Sequence, residues 1–222
     1  MSELVSYRIS SNVILGKKRT PKYFMKDYRR AKSIKDFVDT KYITSVEELK
    51  KYSFAQNTRI DADTTYILHP HCNNLLIEKN NFFEYIIREQ INEIITYITS
   101  SFSINELTVN VINKKSHLAE LTTKLEDVLC SVGFDRKSKY LCSVKIGQTK
   151  RHDSNMDYIW LKNMPILVNA VRLKSSHVNI KQEIDNSFGI NMPFASAVGL
   201  NLNALKHCCF EISYSIAQDY SN

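Results

Sequence analysis

The clearest helical spacing of apolar residues in this chain falls in one long stretch. Phe83, Ile86, Ile87, Ile91, Ile94, Ile95 and Ile98 lie three or four residues apart and mark one broad face. Asn81 followed by Glu84 has the form of a capping box, so the pattern predicts a helix from about residue 82 to Thr99. Period-two alternation dominates elsewhere. In "ELTVNVI" Leu107, Val109 and Val111 share a face, and in "HVNIKQEI" Val178, Ile180 and Gln182 stand against Asn179, Lys181 and Glu183. Thr64 to Leu68, "KYLCSVKIG", "DYIWL" and the late "HCCFEISYSI" also read as strands.

Pro165 suits the first turn of a helix over "MPILVNAVRL". Asn191 can cap "MPFASAVGLNLNAL", where Phe194, Val198, Leu202 and Leu205 share a face. His117 to Val132 fits a helix through Leu118, Leu121, Leu125, Val128 and Leu129, although its threonines also permit a long strand. Strands joined by short turns favour antiparallel pairing. The expected class is α+β, a mainly antiparallel sheet with two or three helices packed on one face, preceded by a basic N-terminal arm. No Gly-rich strand-to-helix turn supports a nucleotide-binding parallel sheet.

Charge supplies the domain division. Residues 1–60 hold 14 Lys and Arg against 6 Asp and Glu, while residues 61–222 hold 16 against 17. The shift places a basic arm at 1–60 and a globular α+β domain at 61–222. Between Lys17 and Lys35 there are nine cations, Lys17, Lys18, Arg19, Lys22, Lys26, Arg29, Arg30, Lys32 and Lys35, and one acid, Asp27. Tyr23, Phe24 and Tyr28 are interleaved among them. Cations neutralise phosphates with counterion release, and aromatic rings stack on unpaired bases. The same composition suits an acidic protein surface or anionic headgroups. A charge run is also commonly a solvated helix face, and no helix-turn-helix, zinc finger or RNA-binding aromatic motif accompanies it.

Composition narrows the classes further. With 43% apolar and 24% charged residues, 222 residues can bury a real core. Five glycines and four prolines leave no room for a long low-complexity linker. The opening "MSELVSYRISSNVILGKKRT" does not read as a secretory signal. The five cysteines, Cys72, Cys130, Cys142, Cys208 and Cys209, are expected to be free thiols in the cytoplasm. The longest uncharged run, Asn186 to Leu205, carries four asparagines and a proline and is too polar for an ordinary span. Abundant Asn, Ile, Lys and Ser hint at an AT-rich gene, of the kind that a bacterial mobile element carries.

Two stretches raise chemistry. In "TYILHPHCNNLLI" the extended backbone would turn His69 and His71 to one side, and "KHCCF" offers His207, Cys208 and Cys209. A zinc or iron site would need three or four such ligands, and neither stretch has a CxxC or HExxH spacing. The plainer reading is a strand ended by Pro70 and a solvated turn. Asp61 and Asp63 form a D-x-D pair of the kind that holds a divalent cation between phosphates, without the third acid and lysine a metal nuclease needs. "GKKRT" lacks the earlier glycine of a phosphate loop, and no G-x-S-x-G occurs. The sequence therefore points to a non-catalytic binding protein without a resident cofactor. Its basic arm would dock an acidic partner, nucleic acid or a protein assembly. The alternatives are a membrane-perturbing effector, suggested by residues 186–205, and a small metal-dependent enzyme using His69, His71 and Asp61 or Asp63, with Cys208 as a further ligand.

Overall fold

A computed structural model describes residues 5–10, 13, 25, 29, 40–55, 60–62, 64–113, 140–154, 157–184 and 208–217. It shows an α+β protein with two sheets, not one, their strands mostly antiparallel, and about three helices. The chain divides into two compact units. The first comprises Met1–Tyr85 with Ile190–Asn201, the second Ile86–Gly189 with Leu202–Asn222.

The first unit holds a five-stranded sheet ordered β2-β1-β4-β5-β3. Its strands are β1 (Ser6–Ile9), β2 (Lys41–Ile43), β3 (Ser53–Phe54), β4 (Thr65–Leu68) and β5 (Leu75–Glu78). β1 runs parallel to β2 and antiparallel to β4; β5 runs antiparallel to β4 and parallel to β3. Three of these strands come from the first sixty residues, the stretch whose charge suggests an arm. All four residues of β1 are buried, including Arg8, whose Nε donates to Thr65 Oγ1 at 2.9 Å across the β1–β4 pair. Tyr7, Ile9, Val13, Ile43, Tyr66 and Leu76 form the core of this unit. Helix α1 (Val46–Leu49) is a single turn, capped by Ser45, whose Oγ accepts the Glu48 N–H at 3.1 Å.

The long helix α2 (Phe82–Ser101) starts within one residue of the expected position and ends two residues later. Ile86, Ile87, Ile91, Ile94 and Ile98 are buried, each contributing roughly 1.5–3 kcal/mol of apolar transfer. The second unit's sheet is ordered β7-β6-β9-β8 and wholly antiparallel. It contains β6 (Ile104–Asn113), β7 (Tyr140–Ile146), β8 (His177–Glu183) and β9 (Cys208–Ile216). Leu107, Val109 and Val111 of β6 and Ile180 and Gln182 of β8 are buried as the alternation predicts. Helix α3 (Pro165–Arg172) begins at the proline, as expected.

One predicted strand does not form. "DYIWL" is irregular, bends at Ile159 and Trp160, and enters a 3-10 turn at Leu161–Asn163. The buried Glu93 carboxylate on α2 accepts the N–H groups of both Trp160 and Leu161 at 2.8 Å through Oε1. Those donors are then lost to any ladder, and Trp160 packs inward at a turn. Residues 117–132 and the helix expected after Asn191 lie outside the described residues.

Candidate functional site

The histidine stretch is the connection of a hairpin. β4 ends at Leu68, β5 begins at Leu75, and residues 69–74 close the gap. His69 is only 4% exposed. Its N–H donates to the Leu75 carbonyl at 2.8 Å, its carbonyl accepts the Cys72 N–H at 3.3 Å, and its Nδ1 accepts the His71 N–H at 3.2 Å. The ring meets Tyr85 nearly edge-on, with centroids 6.3 Å apart. His71 is exposed, its ring centroid 6.3 Å from that of His69, and Cys72 Sγ donates to Asn74 Oδ1 at 3.0 Å. One imidazole nitrogen is thus engaged in shaping the turn. That is the ordinary work of a turn histidine, with a buried ring replacing the solvated one expected from sequence.

The terminal strand β9 pairs with β6 and β8, so Cys208 belongs to the second sheet. Burial, aided by the neighbouring Cys209, pushes the Cys208 thiol up to about 11. Cys72, Cys208 and Cys209 are free thiols. Asp61 is exposed, its N–H donating to the Tyr66 hydroxyl at 3.2 Å, while Asp63 and His207 lie outside the described residues. Among the described residues no group of three or more His, Cys, Asp or Glu side chains is placed to hold a metal.

A second cluster comes from the second sheet. Register aligns His177, Ser215 and Glu106 in one row across β8, β9 and β6, and Asn179 beside Ser213 in the next. These five residues, together with Val178 and Tyr214, line an open depression of about 370 Å³ on the second sheet. Nucleophilic catalysis needs the imidazole between hydroxyl and carboxylate. In this row the serine occupies the middle, so the relay order is wrong. Glu106 is also engaged by Lys145 at 2.9 Å. The row was hidden in the sequence because its members come from three strands more than a hundred residues apart at the extremes.

Burial raises the hydroxyl pKa of four described tyrosines, Tyr7, Tyr66, Tyr97 and Tyr214. The Tyr7 hydroxyl is pushed up to about 12 by burial, by a hydrogen bond with Tyr52 and by the charges of Tyr52 and Glu48. Tyr214 is pushed up to about 12 by burial and the nearby Tyr97. Both are neutral core groups at physiological pH, unsuited to act as bases.

The basic segment is mostly outside the described residues. Lys17, Lys18, Arg19, Lys22, Tyr23, Phe24, Lys26, Tyr28, Arg30, Lys32 and Lys35 fall there. Met25 and Arg29 are described, both helical and both exposed. No helix among the described residues is long and apolar enough to cross a membrane. No family model, curated protein or solved structure matches this chain.

Proposed function

We propose that the chain is a non-catalytic binding protein whose basic segment, Lys17 to Lys35, docks an acidic partner, nucleic acid or the acidic face of a protein assembly. The observation that carries this reading is the density of charge, nine cations against one acid in that segment, while the rest of the chain beyond residue 60 is close to neutral. Met25 and Arg29, the two described positions in this segment, are both exposed and supply one apolar and one cationic side chain. Interleaved Tyr23, Phe24 and Tyr28 make single-stranded nucleic acid the first partner to test, since rings accept any base face.

The test is fluorescence anisotropy of a labelled single-stranded oligonucleotide titrated with the full chain across a salt series. Each cation that neutralises a phosphate adds about 0.7 to the slope of log affinity against log salt. Reversing Lys17, Arg29 and Arg30 to Glu is expected to lower the slope by about 2 and weaken binding at least tenfold, with the melting temperature unchanged. Equal affinity in variant and parent would reject the segment as the docking surface. An oligonucleotide that does not bind at low salt shifts the reading to an acidic protein partner.

A further inference from the structure

From Tyr158 to Gln182 the chain carries no acidic residue, and its Lys and Arg residues there are Lys162, Arg172, Lys174 and Lys181. Lys181 is engaged by Glu211 at 3.3 Å. The other three are exposed and flank α3 at its two ends. α3 buries Leu167 and Val171 and leaves Ile166 and Leu173 outside. At 56% and 79% exposed, these are the two most exposed large apolar side chains among the described residues. Seven residues are two helical turns, so the pair stands on one side of the helix, about 10 Å apart along its axis.

The end of α3 adds a second observation. Lys174 N–H reaches the Val171 carbonyl at 3.1 Å and Ser175 N–H the Ala170 carbonyl at 3.4 Å, the paired closure that normally employs glycine. Lys174 adopts φ 52°, a left-handed conformation that strains any residue with a Cβ. Glycine would serve the turn better. What lysine supplies is a cation at the position next to the exposed Leu173.

We infer that the exposed face of α3 is a docking site for an anionic phospholipid surface. Ile166 and Leu173 enter the acyl boundary, and Lys162, Arg172 and Lys174 keep their charges among the headgroup phosphates while their stems cover the apolar side chains. Charge selects this occupant, because no acidic side chain in the stretch opposes an anionic surface. Shape agrees with it. Two isolated aliphatic groups that project outward fit a fluid bilayer, which needs no matching cavity. None of these five residues belongs to the basic segment Lys17 to Lys35.

The test is co-sedimentation of the full chain with vesicles of phosphatidylcholine and phosphatidylserine at about a 2:1 ratio, compared with phosphatidylcholine alone. The chain is expected to bind the mixed vesicles at least about tenfold more tightly. Ile166→Asp with Leu173→Asp should remove at least about tenfold of that affinity without lowering the melting temperature, since both side chains are exposed. Lys174→Gly should move two readouts in opposite directions, raising the melting temperature while weakening vesicle binding about fivefold. A purely structural role for this turn would give the first change without the second. A parent chain that stays in the supernatant overturns the inference. So does a double aspartate variant that binds as the parent does, which would assign any vesicle attraction to the basic segment instead.

Discussion

Glu93 carries a charge into a site with 2% exposure and answers it with backbone donors. Burial raises its carboxyl above the usual carboxylate range, against the opposing hydrogen bonds from Leu161, Ile159 and Trp160, with Glu89 adding to the rise. Its role is to hold the Trp160 turn against α2. Glu93→Ala leaves two buried N–H groups without an acceptor and should cost about 2–5 kcal/mol in a denaturant titration. Glu93→Gln keeps an acceptor and should cost less than about 1 kcal/mol. The pH dependence follows from the sign of the shift. Between the ordinary carboxylate value and the raised one, the native state keeps a proton that the unfolded chain has released. Stability therefore falls as pH rises through that window, and Glu93→Gln should lack that slope. Neither Glu93 nor the buried Gln90 is legible from the sequence, because both lie among isoleucines on a helix whose covered arc is wider than its apolar stripe. A second residue-scale expectation concerns Lys174. The left-handed backbone costs a side-chain residue about 1–2 kcal/mol, and glycine gives back about 0.4–1 kcal/mol through the freedom of its unfolded chain. The net gain from Lys174→Gly should be about 0.5–1 kcal/mol.

At the scale of elements, the β4–β5 connection separates two histidines that the sequence presents as equals. His69 shapes the turn and packs against Tyr85, so His69→Ala should lower stability by about 1–3 kcal/mol. His71 is exposed, and His71→Ala should change stability by less than about 0.5 kcal/mol. Similar losses for both would show that the two act as one unit. The elements that sequence made legible are those covered on one side only. β8 alternates because one face meets the core and the other meets solvent, and β6 does so over Glu106–Val109 before Asn110 and Ile112 bury its other face as well. β1 is buried at every position, so Ser6, Tyr7, Arg8 and Ile9 carry no period to read. β2 and β3 are three and two residues long, too short for any pattern. The basic segment was plain as composition. The α3 surface was not, because the sequence alone does not say which of its aliphatic residues the fold covers.

At the scale of the whole molecule, each unit is built from separated stretches of chain. The first unit takes its strands from residues 6–78 and includes Ile190–Asn201, while the second resumes at Leu202. In the second sheet β9 lies between β6 and β8 and is their shared partner, although it comes last of the described strands. A chain cut before Cys208 should lose cooperative melting of this unit, which differential scanning calorimetry would record as a missing or broadened transition. Retention of a sharp transition would mean that β6, β7 and β8 reach a stable arrangement by themselves. The position of β9 also bears on biosynthesis. While a nascent chain has grown only as far as residue 184, β6 and β8 have been made but the strand that joins them has not. Their amide edges stay open until translation passes residue 216, and an open edge recruits any extended chain nearby. Yield in a cell should therefore respond to chaperone supply and to the pace of translation over the last third of the message more than to the equilibrium stability of the finished protein.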